Sequence, residues 1–132
     1  MTLTLAEANR AVAAAIAKAR EYNVDITVAV CDAGGRLVAF NRMEGAIGWA
    51  ASYGTIGKAV AAAGFGRPGR DMVERANTPV IKGIMAAEGG HMIIGPGCVP
   101  IIRGGIVKGG CGIGAPTLQQ EEECAQAAAD AV

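Results

Sequence analysis

Aromatic side chains make up only 4% of this 132-residue chain: two Phe, two Tyr and one Trp. Its core must therefore be built from Ala, Val, Ile and Leu. Serine occurs once, at Ser52, and histidine once, at His91. A Ser/His/Asp triad would need those two together, with Ser52 inside a helical stretch and no GxSxG elbow around it, which argues against serine-nucleophile chemistry. Net charge is lacking as well, since twelve basic and twelve acidic side chains cancel. With no basic footprint, neither nucleic acid nor an anionic membrane is an expected partner. No apolar run reaches the roughly 20 residues of a membrane span. No basic segment followed by an apolar stretch opens the chain, so a cytoplasmic location is expected. Cys31, Cys98, Cys111 and Cys124 show no CxxC spacing. That excludes the usual structural zinc site and leaves buried free thiols as the expectation. "GFGRPG" at 64–69 lacks the strand–loop–helix setting of a dinucleotide site, and no P-loop is present.

What the chain does have is alanine, aliphatic residues and 20 glycines, in a length suited to one domain spanning 1–132. Thr4-Leu5-Ala6-Glu7 is a capping box, and apolar residues then recur at helical spacing until about Tyr22. "DITVAVC" at 25–31 alternates and is β-branched, as a strand should be. "DAGG" at 32–35 supplies a turn, and "RLVAFNRM" returns as the partner strand. A second helix is expected from Trp49 to about Ala63. Short helices should follow in "MVERA" and "PVIKGIMAAE", broken near Pro79. "HMIIG", "VPIIR" and "GIVKGGCGI" read as three more strands, with a hairpin turn at residues 103–105. Thr117-Leu118-Gln119-Gln120 opens a last helix, whose early acids suit its dipole. Consecutive hairpins make an antiparallel sheet covered by helices the economical layout, an α/β (α+β) arrangement.

Chemistry has few candidate carriers. His91 is the only imidazole, hence the candidate axial haem ligand or proton carrier, against a bland reading as a surface histidine. Cys98 sits in "GPGCVP", a loop setting that makes its thiolate a candidate nucleophile or metal ligand, against a bland reading as buried filler. Arg42 and Glu44 stand where a strand hands over to a helix, and Lys58 lies on that helix. Arg suits bidentate capture of carboxylates. Arg42 and Lys58 with a wall of Gly45, Gly54, Gly57 and Gly97 would favour a small anionic ligand, with Glu44 or Cys98 moving a proton. Surface pairing and tight helix packing are the bland readings of the same residues.

"DAGGRLVAFNRMEGA", "GKAVAAA", "GCVPIIRGGIVKGGCGIG" and "QQEEECAQAAADA" occur in this order over nearly the whole chain. Together they resemble the GlcG/HbpS family, also called the haem-degrading family, which includes the C-terminal domain of PduO-type proteins. The resemblance implies a profilin-like fold with a five-stranded antiparallel sheet and a homo-oligomer. It also implies haem or a related tetrapyrrole as a cofactor in some members, in redox or catabolic settings. The family's usual Asp is Glu44 here, and another is Glu121. The histidines of the first helix proposed as haem ligands in some members have no counterpart between residues 5 and 22. Three functions stay open, with the family placing the first ahead: tetrapyrrole binding, a catabolic enzyme acting on an organic acid, and a non-catalytic oligomeric accessory subunit.

Overall fold

The structure is a computed structural model that describes residues 3–132, apart from the side chains of residues 49–51. Its elements in chain order are α1 (Leu5–Glu21), β1 (Thr27–Asp32), β2 (Leu37–Arg42), α2 (Trp49–Phe65), two short 3-10 turns at 69–71 and 73–75, α3 (Pro79–Ala87), β3 (Cys98–Arg103), β4 (Ile106–Gly114) and α4 (Leu118–Asp130). Both capping boxes form: Thr4 and Glu7 close the start of α1, and Thr117 and Gln120 that of α4, each satisfying two backbone donors.

All strand pairs are antiparallel, in the order β2-β1-β4-β3. Central β1 is buried on both faces, and its alternation sorts the core into two layers. Val28 and Val30 join Ile113, Val99 and Ile101 beneath α1 and α4, whose facing residues are largely Ala. Each of those buried aliphatics is worth about 1.5–3 kcal/mol relative to exposure. Ala29 and Cys31 point the other way, into a smaller cluster under α2.

Among the described residues the sheet has four strands, not the five expected. "HMIIG" lies against α2 instead of joining an edge: Met92 is buried in the α2 cluster, and the Ile93 N–H donates to the Gly57 carbonyl at 3.0 Å. Pro96 then lacks a donor and Gly97 turns at φ 88°, so the chain swings into β3 before any ladder could form. The expected turn at 103–105 is present, with Gly104 and Gly105 both at positive φ as a two-residue hairpin of this hand requires.

Candidate functional site

The second helix, α2, lines all three of the cavities that hold candidate residues. Its seat is made by β4. A Cβ at Gly110 would stand 2.2 Å from the Ala59 carbonyl oxygen, and one at Gly112 2.3 Å from that of Thr55. Alternate glycines thus let the helix backbone rest on the strand backbone. The Thr27 and Thr55 hydroxyls, both buried, meet at 2.7 Å and pin the helix to β1. The close approach foreseen from the glycines is real, but the glycines that allow it belong to the strand. Of the helix glycines taken as candidates, Gly54 faces open space, and Gly57 receives the Ile93 side chain where its own Cβ would be.

On one flank of α2 a cleft of about 410 Å³ opens between the "GGR" end of the β1–β2 turn, the helix and residues 88–93. Its walls are mainly apolar, with Ile56, Val60 and Ile93 among them, and His91, Arg36 and Glu88 also line it. His91 is delivered there by the turn after α3, where Gly89 and Gly90 take φ 65° and 81°. The packing of Ile93 on Gly57 then anchors the segment. Arg36 went unrecognised in the sequence. Its only signal is its place directly after the two turn glycines.

On the opposite flank, Lys58 reaches across to α4. Its ammonium donates to Glu121 Oε2 at 2.7 Å and to the Ile113 carbonyl. The two side chains are only 13% and 16% exposed. Glu122 accepts from the Gly97 N–H and from Arg70, both at 2.6 Å, tying the 95–98 loop to the same helix start. A Cβ on Gly97 would overlap Glu121 and crowd Lys58 Nζ. Beside the pair lies a smaller cavity of about 270 Å³, also lined by Gly54, Thr55, Ile93, Gly114 and Ala115.

Arg42 lies elsewhere. It lines a third, open hollow of about 420 Å³ with Phe40, Ser52 and Tyr53, between β2 and α2. The structure therefore does not bring Arg42 and Lys58 into one cavity. Glu44 is exposed in the turn after β2 and lines none of these three cavities. Gly45 latches that turn: its N–H donates to Asp25 Oδ2 at 2.6 Å, and a Cβ there would push against that same carboxylate. Cys98 is fully buried, and desolvation pushes its thiol up to about 11 although Lys58 pulls the other way. All four cysteines are free and buried. Among the described residues no group of three His, Cys, Asp or Glu side chains is placed to hold a metal ion. No described helix is long and apolar enough to cross a membrane.

Comparison with known proteins agrees with this architecture. An uncharacterized 15.0 kDa protein from the dhaT-dhaS intergenic region of Citrobacter freundii is 30% identical over 131 residues, covering 98% of this chain and 91% of that one. The crystal structure of Klebsiella pneumoniae ORFY superposes with a TM-score of 0.88 at 28% identity, over 99% of this chain and 90% of the other. A PduOC–heme complex shares the fold with a TM-score of 0.84 at 24% identity, over 100% and 96% of the two chains. The model of the family described as haem degrading protein, HbpS-like, matches residues 3–130, and the chain belongs to that family.

Proposed function

We propose that the chain binds haem or a closely related tetrapyrrole in the cleft that holds His91. The observation that carries this reading is the position of the chain's one imidazole, on the wall of an apolar cleft of about 410 Å³ beside a guanidinium. That volume falls within the range of roughly 300–1,000 Å³ of small-molecule sites. The donor set suits the group. His91 would ligate the iron, Ile56, Val60 and Ile93 would lie against the ring, and Arg36 would pair with a propionate. Bound haem would supply redox-active iron. Membership of the HbpS-like family supports the same reading, as does the use of this fold by PduOC in a heme complex. The alternative of an organic-acid enzyme loses its clamp, because Arg42 and Lys58 line separate cavities and Lys58 is already matched by Glu121. A homo-oligomer belongs to the proposal. Its support is the two outer strands, β2 and β3, whose far edges have no neighbour among the described residues.

Hemin titration followed by visible absorption tests the reading. The wild type is expected to saturate at one haem per chain or per dimer, with at least tenfold weaker binding in His91→Ala. Cys98→Ala should titrate as wild type, since its thiol is sealed in the core. Absence of saturable binding, or an unchanged titration in His91→Ala, would overturn the proposal.

A further inference from the structure

We propose that the cavity beside Lys58 and Glu121 is a second binding site, for a small neutral molecule carrying a hydroxyl group on a compact apolar body. This inference goes beyond the haem reading and does not rest on it, because the site lies on the opposite flank of α2 and uses different polar groups.

The argument starts from donors and acceptors. A lysine ammonium has three N–H donors and a carboxylate two acceptor oxygens. Two of the Lys58 donors are used, on Ile113 and on Glu121 Oε2. The third has no acceptor among the described residues, and Glu121 Oε1 has no described donor. Neither group is sealed off, since both side chains retain slight exposure and both line the cavity. A largely desolvated ion pair is costly unless its remaining valences are met. A hydroxyl meets both at once, accepting from Lys58 and donating to Glu121.

Charge narrows the class. The pair sums to zero, so an anionic ligand would face the Glu121 carboxylate and a cationic one the Lys58 ammonium. The other polar side chain in the wall, Thr55, is neutral and shares a hydrogen bond with Thr27. Ile47, Ile93 and Ala115 supply apolar surface for the rest of the molecule. The cavity holds about 270 Å³. A dry apolar cavity of about 150 Å³ is enough to bind benzene, so a single-ring or short branched alcohol fits. Two glycines keep the site open. Gly97 leaves room for the pair itself, and Gly54 has no atom within 4 Å of where a side chain would begin.

The test is a ¹H–¹⁵N correlation titration with benzyl alcohol, with benzoate and toluene as comparison probes. Benzyl alcohol is expected to give saturable shifts centred on the amides of Gly54, Thr55, Gly114 and Ala115. Benzoate should bind at least tenfold more weakly through its charge, and toluene through its missing hydroxyl. Gly54→Leu should place a side chain across the cavity and abolish the shifts. Its circular dichroism spectrum and melting temperature should show an intact fold, since leucine is the better helix former. Non-saturable shifts with benzyl alcohol would overturn the proposal, leaving a cavity that holds only water. So would benzoate binding as tightly as the alcohol, or shifts that persist in a folded Gly54→Leu protein.

Discussion

Replacing Gly112 by alanine adds one methyl group where the β4 backbone meets the α2 backbone. That carbon would stand 2.3 Å from the Thr55 carbonyl oxygen and 2.8 Å from the Ala59 nitrogen, both backbone atoms of α2. Ordinary carbon contacts lie near 3.5 Å, so the helix must rise by about 1 Å. Overpacking of this kind costs about 1–3 kcal/mol. The rise also stretches the buried 2.7 Å contact between Thr27 and Thr55, at about 1 kcal/mol more. A loss of about 3 kcal/mol is expected, which for a chain of this length lowers the melting temperature by about 10 °C. Thermal and urea unfolding followed by circular dichroism measure it. Gly54→Ala is the matched control: it lies on α2 facing open space, and should raise stability by about 0.5–1 kcal/mol through helix propensity alone. A Gly112→Ala protein that melts within a degree or two of wild type would refute the backbone-on-backbone account of how α2 is seated.

Lys58→Met should destabilise by about 2–3 kcal/mol in urea unfolding, because it strands a Glu121 carboxylate that is only 16% exposed; Glu121→Leu added to it should recover part of the loss. Glu7 is held at about 2, first by the Thr4 backbone N–H and then by Arg103. Its contribution is therefore complete above the usual carboxylate range and drains away as pH falls toward 2. Glu7→Gln should flatten that acid limb in melts recorded across pH. Desolvation raises all four thiols, Cys31 to about 12 and Cys98 and Cys124 to about 11, with Cys111 also driven upward. A thiol-reactive disulfide reagent should label none of them in the native protein at neutral pH and all four after unfolding.

Elements set by local chemistry were legible from the residues alone. The capping boxes at Thr4 and Thr117, the "DAGG" hairpin and the helix from Trp49 all depend on neighbours in sequence, and all are present. "HMIIG" failed as a strand because its apolar run records burial against something, and that something is a helix, not a sheet edge. The candidate site was legible only in part. Lys58 was singled out, but its partner Glu121 lies 63 positions away, and no local rule links them. Arg42 and Glu44 drew notice by charge at a strand end. Charge alone does not reveal that Arg42, at the end of β2, and Lys58, on α2, line separate cavities. Glycine was the most misleading residue. Its abundance announced a close approach, but whether helix or strand supplied the missing side chains depended on register.

The glycine seam beneath α2 has a consequence for how the protein can vary. On the α1 and α4 side, the layers are spaced by side chains, which repack when one is exchanged for another of similar volume. On the α2 side the spacer is the peptide itself, at Gly110 and Gly112. Peptide geometry has no rotamers to adjust. The cavity walls carried by α2 are thus referenced to the sheet as a machine part is to a datum face. Mutational drift in the larger core should leave their positions untouched, so the residues that tune stability and those that shape the clefts are free to evolve separately.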